Sequence, residues 1–345
     1  MIAGGGNAVS PSDEFLDKGV HMDALIAYFS SLSLSGLLSR IPAGVSQGLI
    51  WALMALGVYI TFRILDIADL SVDGTFSTGG AVTVILIIGG MPPALAVLIA
   101  FICGILAGMV TGLLHTKLGI PAILAGILTQ YALYSINLAI MGFKANTAVS
   151  ADKYDLVVSG RDVNIAIIVS VCFVAVIIGL LYWFFGTERG MSLRATGCNP
   201  QMSKAQGINI NLNKVIGLAL SNGLVALSGS LFAQYSGFAD VNSGRGAIVI
   251  GLAAVIIGEV IGDAILGKRM NFAFRMIFIA VGAIIYYLIY TLVLWLKMDS
   301  NMMKLFTSII VAICLAVPYL KNKRQSSFRR AGKNSQTANG GKKDA

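Results

Sequence analysis

The apolar residues of this chain are grouped into long runs rather than alternating with polar ones. Nine runs approach or exceed the length that crosses roughly 30 Å of hydrocarbon as a helix. They cover residues 45–62, 74–90, 93–114, 121–142, 163–185, 213–235, 247–266, 272–296 and 303–320. The pattern therefore predicts an all-α fold, a polytopic transmembrane helical bundle of about nine spans, within a range of about eight to ten.

Two segments near the N-terminus depart from this pattern. The second run, 74–90, is short and opens with several polar residues, so it predicts a broken or re-entrant helix. Residues 24–40 carry five serines and one arginine. They predict an interfacial helix, and a tenth span is the alternative. The first 22 residues are polar and glycine-rich, which is not typical of a signal peptide.

Composition agrees with membrane embedding and locates the charge. Only 12% of the 345 residues are charged, against roughly a quarter in a soluble domain. Eight of the 25 Lys and Arg residues lie from Lys321 onward. This favours a disordered tail beside anionic lipid over a nucleic-acid-binding tail. The predicted division is a polar segment 1–44 with the interfacial helix, a transmembrane domain 45–320 and a basic tail 321–345.

Positive charge also suggests an orientation. With the tail in the cytoplasm, the basic loops 187–214 and 267–275 lie on the same side as the tail. We therefore expect a cytoplasmic C-terminus.

Glycines are placed for close packing between helices. Gly104, Gly108 and Gly112 recur at every fourth position, and Gly258 and Gly262 repeat that spacing. Stripes of this kind allow two helix backbones to approach closely in a membrane.

The segment between the fifth and sixth runs, ERGMSLRATGCNPQMSKAQGINI, has a distinct local chemistry. Asn199 is a good N-cap, Pro200 suits the first helical turn, and Gly207 suits a left-handed ending. About two turns of helix are too few to be stable alone. We therefore expect this helix to dock into another protein, and an ordinary basic loop is the alternative.

This segment resembles the branched-chain amino acid and ribose type permeases of ABC importers. RGMSLRATGCNPQMSKAQGI is similar to that family's pattern of Gly, Arg-Ala, Gly, Asn-Pro, Ala and Gly-Ile. The resemblance implies a helix that couples the permease to its ATPase. The positions carried over are Gly190, Arg194, Ala195, Gly197, Asn199, Pro200, Ala205 and Gly207.

Two further stretches extend the resemblance over roughly residues 45–320. DLSVDG, within 48–82, is similar to the family's Asp-Leu-Ser-Val-Gly turn, and 237–259 is similar to its glycine loop and following helix. Glu259 departs from the family, which usually has glycine there, so the role of that position is open. ILDIADLSVDG and LGIPAILAGILTQYALYSINL resemble a subgroup linked to aromatic amino acid (tryptophan/tyrosine) uptake.

Polar residues within the apolar runs are candidates for a solute pathway, because they are costly in hydrocarbon. Asp66, Asp69 and Asp73 are spaced so that they would share one face of a helix. We expect most of these carboxylates to lie near water or to pair with Arg63. The alternative is that they lie in a hydrated turn between the first two spans. Gln130 begins a second stripe at helical spacing, for which packing between helices is the alternative. The pathway candidates are Asp69, Ser71, Asp73, Thr75, Ser77, Gln130, Tyr134, Asn137 and Asn222.

Other charged and reactive residues suggest no chemistry of their own. Glu259 and Asp263 are expected to form ion pairs with Lys268 and Arg269. GDAILGKR resembles a phosphate loop, but Arg269 occupies the position of the magnesium-binding hydroxyl. The four cysteines and two histidines are scattered, without metal or catalytic spacing.

The resemblance implies the permease subunit of an ATP-driven importer in the bacterial cytoplasmic membrane, translocating a small polar solute, here an amino acid and of the aromatic class. It implies no enzymatic activity and no cofactor bound by this chain, with ATP and Mg²⁺ on a partner ATPase. Further expected partners are an extracytoplasmic substrate-binding protein, a second permease copy in a homodimer, and membrane lipid, without nucleic acid. The alternative is an ion-coupled secondary transporter, which is expected to carry more charge within its spans.

Overall fold

The computed structural model describes residues 34–267 and 270–295, and the single residues 305, 308, 309 and 312. The described residues are mainly helical. The helices are α1 Leu34–Tyr59, α2 Val72–Ile88, α3 Pro93–Thr116, α4 Ala122–Ile140, α5 Val163–Gly186, α6 Glu188–Cys198, α7 Pro200–Ala205, α8 Ile210–Ser236, α9 Ala247–Ile265 and α10 Phe272–Trp295. A π-helical segment, Ile60–Ile64, extends α1, and strands β1 Asn146–Ala148 and β2 Phe238–Asp240 pair antiparallel.

Seven of these helices are long and apolar enough to cross a membrane. They are α1 with its π extension, α3, α4, α5, α8, α9 and α10. The helix α2 has 17 residues and is shorter, as the short second run predicts, but it is one continuous helix over Val72–Ile88 rather than a broken one. The run 303–320 lies almost entirely outside the described residues. The helical membrane fold is therefore confirmed, whereas the number of nine spans stays a prediction.

The first helix begins earlier than the apolar run suggests. Residues 34–40, part of the predicted interfacial helix, form the first turns of α1, and residues 24–33 lie outside the described part. Pro42 lies inside α1, where its missing N–H removes one hydrogen bond. The helix continues across Pro42 until the π segment at its other end.

The glycine stripe of α3 lies directly on α8. A Cβ at Gly104 would lie 2.5 Å from the Asn222 carbonyl oxygen, and one at Gly108 would overlap the Leu218 carbonyl. Most residues of α8 are buried between α1, α2 and α3. The spacing of these glycines therefore predicted a real helix–helix contact, and α8 is the central helix of the described bundle.

An ion-pair cluster joins α1 to α9 and α10. Glu259 accepts hydrogen bonds from Arg63 Nε at 2.9 and 3.0 Å and lies 4.0 Å from Arg275 Nη1. The described partners of Glu259 are thus Arg63 and Arg275, whereas the predicted partners Lys268 and Arg269 lie outside the described residues, so pairing with them stays a prediction. Arg63 is bound to Glu259 instead of to an aspartate.

The connection between α1 and α2 is not helical. Asp66 has a φ of 55° and is exposed, Asp69 is buried, and Asp73 lies in the first turn of α2. The three aspartates therefore do not share a helical face, and that prediction was wrong because the chain leaves the helix after the π segment. This connection contacts Asn222, near the middle of α8, so irregular backbone lies at mid-depth of the bundle, enclosed by protein.

Candidate functional site

A buried hydrogen-bond network links four of the polar candidates. Asp69 Oδ1 accepts from Ser71 N at 2.9 Å and from Ser71 Oγ at 2.6 Å, and Oδ2 accepts from Asn222 Nδ2 at 2.7 Å. Thr75 Oγ1 donates to Asn222 Oδ1 at 2.7 Å. None of the four side chains is more than 2% exposed. Their polar atoms are directed at one another, so the network holds the irregular connection and the start of α2 against α8.

Asp73 and Ser77 bind the loop that precedes α9. Asp73 accepts hydrogen bonds from Gly246 N at 2.9 Å and from Ile248 N at 3.0 Å, and Ser77 Oγ accepts from Gly244 N at 3.0 Å. A carboxylate at a helix N-terminus satisfies free N–H groups and favours the helix dipole. The N-terminal ends of α2 and α9 are therefore held together.

A cavity of about 580 Å³ lies between α2, α4 and this loop. Gln130, Tyr134 and Asn137 line it together, as their helical spacing predicts. The lining residues are Asp73, Gly74, Ile127, Gln130, Tyr131, Tyr134, Asn137, Val241 and Arg245. Sequence reasoning missed Arg245, because it lies in a glycine-rich loop far from α4 along the chain.

The polar groups of the cavity are incompletely paired. The Arg245 Cζ atom lies 5.9 Å from the centre of the Tyr134 ring. Asn137 is fully buried, and its Nδ2 donates to Gly74 O at 3.4 Å while its Oδ1 has no hydrogen-bond partner. Across the described ranges, no group of three His, Cys, Asp or Glu side chains could hold a metal ion. The cavity therefore offers a cation and an unused oxygen acceptor.

The segment between α5 and α8 contains two helices rather than one. Asn199 Oδ1 accepts from Met202 N at 3.0 Å, Pro200 begins α7, and Gly207 follows with a φ of 79°, as local chemistry predicts. The preceding helix, α6, is capped by the Thr187 hydroxyl and was not anticipated. The sequence of α6 is polar and its apolar residues do not recur at helical spacing, so the hydrophobic pattern does not predict a helix there. The helix is recognised from its packing against the bundle.

The helix α6 is fixed to the ends of three membrane helices. A Cβ at Gly197 would overlap the Ile64 carbonyl at the end of α1, and one at Gly190 would overlap backbone at the end of α5. Asn213, in the first turn of α8, donates to Thr196 Oγ1 at 2.8 Å. Glycine is required at both contacts because any side chain would separate the backbones.

By contrast, every residue of α7 except Ser203 is exposed. Met202 is 58% exposed, although it is apolar. Arg194 Cζ lies 5.0 Å from the centre of the Phe272 ring. Of the eight positions singled out by resemblance, two glycines face the bundle and the other six are accessible. The accessible residues are Arg194, Ala195, Asn199, Pro200, Ala205 and Gly207.

Comparisons with known proteins give a consistent result. The profile described as branched-chain amino acid transport system / permease component matches residues 41–316. A tyrosine transport system permease protein of Clostridioides difficile (strain R20291) is 42% identical over 279 residues, covering 81% of this chain and 91% of the relative. An uncharacterized protein of Rickettsia prowazekii (strain Madrid E) is 34% identical over 79% of this chain and 95% of its own length.

A more distant relative is the ribose import permease protein of Haemophilus influenzae (strain ATCC 51907 / DSM 11121 / KW20 / Rd). It is 26% identical over 63% of this chain and 67% of its own length. No solved structure matches the chain.

Proposed function

Because the chain belongs to the family of branched-chain amino acid transport system permease components, we propose that it forms the solute pathway of an ATP-driven amino acid importer. It is a permease component of an import system for a small solute and a multi-pass protein of the inner membrane. It is not an enzyme, since ATP hydrolysis belongs to a separate ATPase subunit. In the proposal, that partner also holds ATP and Mg²⁺.

The contact with the ATPase is assigned to α6 and α7. The observation that carries this proposal is an exposed, capped helix, α7, attached to a helix that is fixed against the bundle. A short helix without a rigid base could not transmit a displacement, whereas α6 rests on the ends of α1 and α8. This end of the bundle is accordingly cytoplasmic in our proposal, as is the C-terminus.

The solute pathway is assigned to the cavity beside α4. Tyr131 and Tyr134 are 73% and 41% exposed at its margin, so the cavity opens at the side of the chain. In the proposal a second copy closes it, and the exposed face of α4 that carries Tyr131 and Tyr134 lies opposite it in the other protomer. Such a two-fold arrangement is the commonest symmetry among homo-oligomers.

The substrate is proposed to be an aromatic amino acid, delivered by an extracytoplasmic substrate-binding protein. Support comes from the Clostridioides difficile relative, whose name states tyrosine transport and which is matched over 91% of its length. Similarity of this extent makes a related substrate the natural first assignment, although a shared fold alone does not define a ligand.

The test is uptake of L-tyrosine into proteoliposomes that contain the chain, its ATPase and its binding protein. We expect uptake to require ATP hydrolysis and to persist when ionophores remove proton and sodium gradients. Uptake that stops with the ionophores and proceeds with a non-hydrolysable ATP analogue would instead identify an ion-coupled transporter.

A further inference from the structure

We propose that Arg245 binds the carboxylate of the transported amino acid, and that Asn137 accepts a hydrogen bond from its ammonium group. The inference rests on the proposed function and names the chemical groups that the cavity recognises. The two residues reach the cavity from different elements, Asn137 from α4 and Arg245 from the loop between β2 and α9.

The positive charge of Arg245 is not paired with a carboxylate among the described residues. No carboxylate of the described residues lies within ion-pair distance of its guanidinium. Asp73 lines the same cavity, but it already accepts the N–H groups of Gly246 and Ile248. Arg245 is exposed, so its guanidinium is accessible to a solute, and a guanidinium matches a carboxylate with two parallel hydrogen bonds.

The Tyr134 ring does not account for this charge. At 5.9 Å from the ring centre, the guanidinium makes only a weak cation–π contact. This contact orients the Arg245 side chain along the cavity but does not neutralise the charge of its guanidinium. The ring also provides an aromatic wall, against which an aromatic solute could stack.

The amide of Asn137 has an unused hydrogen-bond acceptor at the cavity. Its side chain is fully buried and lines the cavity, yet Oδ1 has no partner and Nδ2 makes only a long bond of 3.4 Å. Buried polar atoms are rarely left unpaired, because the lost hydration is not recovered. An ammonium group, which donates three hydrogen bonds and accepts none, fits this acceptor.

Charge in the cavity can be measured without transport. In a protein whose native cysteines Cys103, Cys172, Cys198 and Cys314 are replaced by serine, Tyr131→Cys places a thiol at the cavity margin. After each rate is divided by the rate of the same reagent with a free thiol in solution, we expect an anionic methanethiosulfonate reagent to modify it several-fold faster than a cationic one, because Arg245 attracts the anion.

In the same background, Arg245→Gln should remove this preference. Lys144→Gln is the matched control, because it removes an exposed cation that does not line the cavity. Equal rates for both reagents with Arg245 present would overturn the proposal, as would a preference that Lys144→Gln removes and Arg245→Gln does not.

The second test of the proposal measures transport. With saturating loaded binding protein, Arg245→Gln should lower L-tyrosine uptake per ATP hydrolysed about tenfold, and Arg245→Lys should retain part of it. Wild-type uptake in both variants would overturn the site, whatever the labelling result, and would leave the importer function standing. A wild-type complex without ATP-dependent uptake would instead reject the proposed function, while the labelling rates would still decide the charge of the cavity.

Discussion

At the scale of single residues, Asn222 connects the irregular backbone to the central helix. Its amide donates to Asp69 and accepts from Thr75, both of them buried. Asn222→Leu keeps the volume but removes the donor to Asp69 Oδ2 and the acceptor on α8 for the Thr75 hydroxyl. We expect a loss of roughly 2–4 kcal/mol in stability, because the buried Asp69 carboxyl and the buried Thr75 hydroxyl each lose a hydrogen bond to the Asn222 amide. The measurement is the apparent melting temperature in detergent.

The neighbouring residue provides the control for this prediction. Ser221 donates one hydrogen bond to Gly57 O at 2.7 Å and is equally buried. Ser221→Ala should cost only about 1 kcal/mol, since one neutral hydrogen bond is lost. Equal melting temperatures for the two variants would show that the network does not stabilise the protein.

Residue chemistry could be predicted from the sequence only where it is local. The cap at Asn199, the turn at Pro200 and the left-handed Gly207 follow from neighbours within eight positions, and all three are observed. The bond between Asp69 and Asn222 spans 153 positions, and no local signal reports it. Arg245 was missed for the same reason, since its significance arises only where its loop meets α4.

At the scale of helices, contact between α3 and α8 depends on the absence of side chains. Gly108→Val would place methyl groups where the Leu218 carbonyl lies and separate the two helices. Overpacking of a filled interior costs about 1–3 kcal/mol, and a backbone collision belongs at the upper end or beyond. We expect a lower melting temperature and a smaller monodisperse fraction in size-exclusion chromatography.

Gly179→Val is the matched control, because Gly179 lies in the helix α5 with open space at its Cβ position. The control should behave as the wild type. If the two valine variants melt alike, the stripe reflects the general frequency of glycine in membrane helices rather than packing.

The same reasoning applies to the contact of α6 with α1. Gly197→Ala brings a methyl group onto the Ile64 carbonyl and displaces α6. We expect the variant to remain folded in the membrane, but its ATP-driven uptake to fall at least about tenfold, because the base of α7 shifts. Gly186→Ala, at an open position, is the control, and equal uptake in both variants would refute a mechanical role for this contact.

Helices could be predicted from the sequence where hydrophobicity alone defines them. The runs at 93–114, 163–185 and 272–296 correspond to α3, α5 and α10 within a few residues. The spacing of Asp66, Asp69 and Asp73 predicts a helical face in the connection after the π segment, although a turn gives the same sequence pattern. A polar stretch can take either form, and its hydrogen bonds to α8 decide the outcome.

At the scale of the whole molecule, different secondary-structure elements lie at the two ends of α8. The helices α6 and α7 precede α8, and the strands β1 and β2 lie by its other end, where Arg161 pairs with Asp152. That carboxylate raises the pKa of the Arg161 guanidinium, and the exposed pair contributes little stability. At the end with α6 and α7, the described residues include a short capped helix, α7, on which the apolar residue Met202 is exposed.

This asymmetry underlies the central claim that α7 is the site at which the ATPase binds. Met202 and Lys204 are exposed on α7, whereas Lys153 is exposed near the opposite end of the bundle. Introducing glutamate at each of these positions adds the same side chain to the α7 surface, where the ATPase is proposed to bind, and to the opposite end of the bundle, where it is not.

The most direct measurement is therefore co-purification of the co-expressed ATPase with affinity-tagged Met202→Glu, Lys204→Glu and Lys153→Glu, each checked for wild-type melting temperature. The account predicts that Met202→Glu and Lys204→Glu lose the ATPase and ATP-driven uptake, while Lys153→Glu retains both. Full ATPase recovery and uptake with both α7 variants would contradict it.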